Sequence, residues 1–244
     1  MPKQYPYKRI LLKLSGELLM GGQNFGIDQN ACDKVANALI KLQQAGLEVA
    51  VVIGGGNIFR GIQLNMEGIS RTPADQMGML ATLMNGVALQ QALEARGCDS
   101  KVMTALECPK VAESFNYRNA IQALNLGTLL IFVGGTGNPY FTTDTAAALR
   151  GAEINADILL KATKVDGIYD KDPLKNSDAK KYDHISYARV LAEKLAVMDA
   201  TAISLCQYNG LPILVFNMQR LFTDDPYRQI LPPQSQGTLV DANQ

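Results

Sequence analysis

The chain has 244 residues, of which 47% are apolar and 19% charged, with Lys+Arg and Asp+Glu balanced at 23 each. That length and apolar content allow one large α/β domain with a sizeable core and exclude wholesale disorder. Zero net charge argues against the overall basic footprint of a nucleic-acid binder while leaving a local patch open, and a charged fraction below the usual ~25% points to surface buried between subunits. The apolar stretch near the start is broken by Lys13 and Glu17, so neither a signal peptide nor a membrane span is expected and a cytoplasmic protein is. Cys32, Cys98, Cys108 and Cys206 show no CxxC spacing and read as reduced, buried thiols. His184 is the single histidine. A His-based zinc site therefore lacks ligands, and with no GxSxG elbow a Ser–His–Asp relay has no basis. His184 itself reads as a surface residue in a polar stretch before a helix.

The pattern along the chain alternates strand and helix. Residues 8–14 form a β-rich run ending in Ser15-Gly16. Asp28 caps a predicted helix with Val35, Ala38, Leu39 and Leu42 at helical spacing, ending near Gly46. Residues 47–53 are the next predicted strand, running into Gly54-Gly55-Gly56-Asn57. Thr72-Pro73 opens a long helix to about Arg96, with Pro in the first turn. Strands are predicted over 100–105 and 128–133, preceded by helical patterns that end in Gly97 and Gly127. A helix follows Thr143, a short buried strand spans 157–161, Ser186 and Asp199 cap two later helices, and 212–217 is a late strand. This alternation predicts an α/β fold: a single domain over 1–244 with a mostly parallel central sheet covered on both faces, a three-layer αβα sandwich. The long helix carries one apolar face of Met77, Leu80, Met84, Val87 and Ala88, and a second, mostly apolar, of Met79, Leu83, Gln90 and Leu93. A helix apolar on two sides is buried on two sides, which here favours a homo-oligomer.

In open α/β sheets, ligands bind beyond the carboxyl ends of the strands. Three of these ends carry glycine turns: Leu14-Ser15-Gly16, Gly54-Gly55-Gly56-Asn57, and Gly134-Gly135-Thr136-Gly137-Asn138. Glycine lets backbone N–H groups approach an anion closely, so three such turns in equivalent positions predict a site for more than one phosphate group. Neither GxGxxG nor GK[ST] occurs, and the HRD and DFG elements of protein kinases are missing. Lys13, inside an apolar strand run, is costly unless it points at an anion or at solvent. Arg60 follows the second turn and suits a charge clamp. Asp144 reads as a helix N-cap, Asp166 and Asp172 as turn residues, and Asp199 as either a cap or a Mg²⁺ contact.

KLSGE at 13–17, IGGGNIFRG at 53–61, GTGNPYFTTDTAA at 135–147 and KATKVDGIYDKDP at 161–173 resemble the amino-acid-kinase family, in particular its branch that phosphorylates UMP. The resemblance extends to VMDATA at 197–202 and PILVFNM at 212–218. It implies ATP + UMP → ADP + UDP, with Mg²⁺ accompanying ATP, a homohexamer built from dimers, and UTP as a feedback inhibitor. It places Lys13, Leu14, Ser15, Gly16, Gly56 and Arg60 at the transferring phosphates, with Thr163, Tyr169 and Asp172 on the ATP adenosine. It places Gly55 and Asp75 on UMP, with Asp75 at the ribose hydroxyls, and wraps Thr136, Gly137, Asn138, Pro139, Tyr140, Phe141, Thr142 and Thr143 around the UMP phosphate and base. Asp144 orients the catalytic lysine; either Lys161 or Lys164 aids the γ-phosphate. Some members respond to GTP through basic residues between subunits. Glu94, Thr128 and Lys101 stand at three of those positions, only one of them basic, which implies weak or absent GTP activation. Two other readings stay open: a carboxylate kinase of the same family, and a nucleotide-binding sensor or storage protein of the same fold.

Overall fold

The computed structural model describes residues 7–63, 68–195, 197–231 and 236–242, and of residues 60–63 the backbone only. In chain order the strands are β1 (Arg9–Leu14), β2 (Glu48–Ile53), β3 (Ser100–Thr104), β4 (Glu113–Ser114), β5 (Leu129–Val133), β6 (Ile158–Thr163), β7 (Ile168–Tyr169), β8 (Lys181–Tyr182), β9 (His184–Ser186), β10 (Ile213–Asn217) and β11 (Thr238–Asp241). The helices are α1 (Gln29–Gln44), α2 (Gly56–Gln63), α3 (Arg71–Glu94), α4 (Tyr117–Asn125), α5 (Thr143–Glu153), α6 (Tyr187–Ala192), α7 (Ala200–Asn209) and α8 (Pro226–Ile230). One sheet has the order β4-β3-β5-β2-β1-β6-β10-β11-β9, and β7 pairs with β8 in a separate antiparallel ribbon. The large sheet is parallel except where β11 runs against β10.

Two cores lie on opposite faces of the sheet. Ile10, Leu12 and Leu14 of β1 point toward the side covered by α1, α3 and α8. Leu11 points to the other, with Ala50, Val52 and Leu159, against α4, α5, α6 and α7. Strand β2 is buried at every position, as expected of a central parallel strand covered on both faces. The predicted αβα sandwich is the observed fold.

The caps read from sequence hold locally. Asp28 Oδ1 accepts the Ala31 N–H at 2.8 Å, Ser186 Oγ accepts from Arg189, and Asp199 Oδ1 accepts from Ala202 at 2.9 Å. Helix α3 starts at Arg71, just before the predicted Thr72-Pro73 opening. Its Met79, Leu83 and Leu93 are buried, whereas Leu80 (53%), Met84 (56%) and Val87 (40%) are exposed as a stripe at i, i+4, i+7. One of the two apolar faces therefore covers the sheet and the other faces outward. Helix α2 and the short strands β4, β7, β8, β9 and β11 had no sequence forecast: α2 opens in a glycine run that reads as loop, and two- to four-residue strands are too short to show a period. His184 is exposed, as expected, but on the edge strand β9, with Nε2 2.7 Å from Asp241 Oδ1.

Parallel register brings the strand ends together. Leu14 pairs with Ile53, Val52 with Phe132, Lys13 with Lys161, and Thr163 with Asn217. The three glycine turns thus emerge at one end of the sheet.

Candidate active site

Lys13 and Lys161 are cross-strand partners on β1 and β6, on one face of the sheet. Like charges placed directly opposite are destabilising. Asp144 resolves the conflict: its Oδ1 lies 2.9 Å from Lys13 Nζ and its Oδ2 2.5 Å from Lys161 Nζ. All three side chains are 12–14% exposed. Lys161 also donates to the Val197 carbonyl. Asp144 stands in the first turn of α5, where Thr142 caps the helix and accepts the Asp144 N–H at 3.0 Å and the Thr145 N–H at 3.3 Å. The helix N-terminus adds a favourable field for the carboxylate. Burial alone would raise the Asp144 carboxyl, but Lys13 and Lys161 outweigh it and hold it below the usual carboxylate range. Burial lowers the Lys161 ammonium below an ordinary lysine despite Asp144. Two cations share one anion, so the cluster keeps a net positive charge aimed at the strand ends.

A cavity of about 510 Å³ opens on the Lys161 side, within the ~300–1,000 Å³ of typical ligand sites. Its lining includes Lys161, Thr163, Tyr169, Asp172 and Val215, with Lys194 and Leu195 opposite. Thr163 Oγ1 donates to the Val165 carbonyl at 2.7 Å, and Asp172 Oδ1 accepts the Leu174 N–H at 3.0 Å, so both staple the turns that wall the cavity. The β7–β8 ribbon closes one side. Thr238 on β11 holds it, accepting the Ile168 N–H at 2.8 Å and donating to the Tyr182 carbonyl.

A second, smaller cavity of about 160 Å³ lies on the Thr143 side. Gly55, Gly56, Asp75, Thr136, Asn138, Phe141, Thr142 and Thr143 line it, together with Phe59, Met79 and Thr82. Gly55 packs against α3, where an added Cβ would come within 2.7 Å of the Gly78 carbonyl. Asp75 Oδ2 accepts the Tyr140 N–H at 2.7 Å and the Arg71 Nε–H at 2.8 Å. Desolvation works to raise the Asp75 carboxyl, but Arg71 and the Tyr140 N–H prevail and lower it. Tyr140 reaches that bond with a left-handed backbone, φ 73°, uncommon for a residue with a side chain.

The two cavities flank the charged cluster: Lys161 lines one, and Thr143, next to Asp144, lines the other. Gly137, Pro139 and Tyr140 share the loop of the second cavity without lining it. Ser15 Oγ accepts the Glu17 N–H, and Gly16 is buried behind the first turn. The side chain of Arg60 lies outside the described residues. Asp199 accepts from Thr142 Oγ1 at 2.6 Å and from Thr145 Oγ1 at 3.0 Å as well as capping α7. Of the two lysines that sequence left open, Lys161 joins the cluster, while Lys164 is exposed and pairs with Glu17 at 2.9 Å. Sequence reading missed Thr238 and the Lys194–Leu195 wall, which carry no local motif, and gave Val197, the first residue of VMDATA, no role.

Residues 8–217 match the amino acid kinase family. The chain is 62% identical over 234 residues to a uridylate kinase of Protochlamydia amoebophila, covering 96% of this chain and 93% of that one. It is 51% identical over 239 residues to a uridylate kinase of a Psychrobacter species, covering 98% of each. Its structure is similar to the crystal structure of a UMP kinase from Bacillus anthracis, with a TM-score of 0.89 and 34% identity over 98% of both chains. A UMP kinase from Ureaplasma parvum superposes with a TM-score of 0.88 at 37% identity, covering 97% of this chain and 100% of that one. With a family match over most of its length and relatives this similar across nearly the whole chain, the protein belongs to the amino acid kinase family.

Proposed function

We propose that the chain transfers the γ-phosphoryl group of ATP to UMP. The observation that carries this reading is the Lys13–Asp144–Lys161 cluster set between two cavities at the strand ends. The larger cavity takes the adenosine of ATP, with Thr163, Tyr169 and Asp172 along its wall. The smaller takes UMP, with Asp75 toward the ribose hydroxyls and Thr136–Thr143 around its phosphate and base. The relatives named for this activity match the whole chain, not only the nucleotide-binding turns.

The acceptor oxygen of a monophosphate is already ionised near neutral pH, so the reaction needs little proton abstraction. Catalysis reduces to alignment and charge neutralisation. Lys13 and Lys161 converge from adjacent strands on the line between the cavities and offset charge on the phosphoryl group in flight. Asp144 pairs with both ammonium groups and fixes their positions. The glycine turns present backbone N–H groups, and Arg60 supplies a further cation from α2.

Mg²⁺ enters with the triphosphate. Among the described residues no cluster of three or more His, Cys, Asp or Glu side chains has metal-ligand geometry. Both Asp199 oxygens already accept hydrogen bonds. That donor set fits an ion held chiefly by phosphate oxygens, the usual mode for Mg²⁺. When bound, the ion neutralises charge between the β- and γ-phosphates.

The outward stripe of Leu80, Met84 and Val87 gives the expected homo-oligomer, a homohexamer built from dimers, its contact. A monomeric mass by light scattering would remove that part of the proposal. UTP, carrying the same base and ribose as UMP, competes for the smaller cavity. A cytoplasmic setting fits the four unpaired cysteines, and among the described residues no helix is long and apolar enough to cross a membrane.

The deciding experiment is ADP release with Mg-ATP against UMP, CMP, dUMP, AMP, GMP, glutamate and acetylglutamate. Turnover with UMP is expected. Turnover with an amino acid instead would make the chain a carboxylate kinase, and tight ATP binding without turnover of any acceptor would make it a nucleotide sensor.

A further inference from the structure

Behind the first two glycine turns sits a polar pair that the phosphate chemistry does not use. Asn57, in the first turn of α2, and Asn85, in the middle of α3, are 1% and 0% exposed. Asn57 Nδ2 donates to Asn85 Oδ1 at 2.9 Å and to the Gly26 carbonyl at 2.8 Å. Asn85 Nδ2 donates back to Asn57 Oδ1 at 2.7 Å and to the Gly54 carbonyl at 2.7 Å. All four amide protons are used. The Asn57 carbonyl accepts the Gly26 N–H at 2.8 Å, and the Gly54 N–H donates to the Leu14 carbonyl at 3.0 Å. A Cβ on Gly16 would collide with Asn57 Oδ1 and the Gly54 carbonyl, so the first turn is pressed against the pair.

We propose that Asn85, acting through Asn57, is a positioning residue for phosphoryl transfer: the reciprocal amide pair sets the separation of the Gly16 and Gly54 turns and the seating of α2, which carries Arg60. Burying two amides in a helix–sheet seam costs free energy that apolar residues of similar volume would not. A fully satisfied pair returns rigidity and a single geometry. No apolar pair could tie the Gly26 and Gly54 carbonyls, α2 and α3 to one point. One turn earlier on α3, Thr82 does the same for the third glycine turn, accepting the Gly134 N–H at 2.7 Å. Helix α3 thus indexes the second glycine turn through Asn85 and the third through Thr82, with Asp75 holding the loop beyond it.

The inference rests on the UMP phosphorylation proposed above, and its test separates the two. Asn85→Ala and the milder Asn85→Ser are compared with the unaltered protein for kcat per mole of folded enzyme, KM for UMP and calorimetric Kd for Mg-ATP. A displacement of about 1 Å in these turns is expected to lower kcat by ~10–100-fold. KM for UMP and Kd for Mg-ATP should each rise at least about threefold, because Gly55 and Gly56 of the turn held by Asn85 line the acceptor cavity while Gly16 and Gly56 face the transferring phosphates. Asn57→Ala combined with Asn85→Ala should be no worse than either alone, as for residues that act as one unit. A lowered melting temperature with unchanged kcat per folded molecule would make the pair merely structural and overturn the proposal. Failure of both Asn85 variants to fold would overturn it as well. An unaltered protein that binds Mg-ATP without turning over UMP would refute the acceptor assignment instead. The pair would then be judged on Mg-ATP affinity, with unchanged Kd in Asn85→Ala counting against it.

Discussion

Replacing Asp144 by asparagine keeps the shape of the side chain and removes its charge. The carboxylate touches Lys13 at 2.9 Å and Lys161 at 2.5 Å. At an effective dielectric constant of about 20, each contact is worth ~6 kcal/mol of attraction before desolvation. Desolvating the ions takes back several kcal/mol each, and breaking such a buried arrangement nets ~3–5 kcal/mol of destabilisation. Here the variant also leaves Lys13 and Lys161 facing each other across adjacent strands with no carboxylate between them. For a chain of this size ~3–5 kcal/mol corresponds to a melting temperature lowered by ~6–20 °C. The assay is thermal unfolding of both proteins without nucleotide, in phosphate-free buffer, from pH 7 downward. The Asp144 carboxyl is held below its ordinary 3.8 in the folded state, so its contribution is fully present above that value and is lost as pH falls through the folded pKa. The gap between the two proteins should be flat from pH 7 to about 5 and shrink below about 4. A gap under about 2 °C at pH 7, or one that widens on acidification, would refute the reasoning. Turnover should fall with stability, by ~100-fold in kcat, because both lysines lose the group that orients them.

The other predictions concern the same machinery. Lys13→Ala should lower kcat by at least ~100-fold with the fold retained, and near-normal turnover would dismiss it as the transition-state cation. Asp75→Asn should raise KM for UMP by ~10-fold, the loss expected for one charged hydrogen-bond acceptor, with Kd for Mg-ATP within about twofold. Because the Asp75 carboxyl is lowered, it is ionised throughout pH 5–9, and KM for UMP should show no titration from it there. GTP should change kcat or KM by less than about twofold: Lys101 is paired with Glu113 at 3.1 Å, Thr128 is buried and donates to Asp99, and Glu94 repels a triphosphate. An effect of several-fold on either constant would show that a site has been assembled by other means.

Much of the architecture is legible in the sequence because it is local. Strand runs, Asp28, Ser186 and Asp199 as caps, and glycine turns at strand ends all follow from short windows. A lysine inside an apolar strand marks Lys13 for the same reason. The choice between Lys161 and Lys164 is not local: it depends on β6 lying beside β1 in a register that sets Lys161 opposite Lys13, and 148 residues of chain separate the two. Asn85 is illegible for another reason. A single asparagine in a long helix reads as a mild defect, and only its partner on α2 shows what it does. Thr238 likewise looks like any strand threonine until β7 and β8 fold beneath it.

That threonine carries a consequence for the growing polypeptide. The acceptor cavity is assembled from residues 55–143, all of which are added to the chain before β6, β10 and β11. The donor cavity needs β10 beside β6, and its ribbon is tied down by Thr238 on β11. On the proposed assignment, the chain therefore makes the residues for the monophosphate before those for the triphosphate. The complete transfer site arrives last, after the scaffold that directs it.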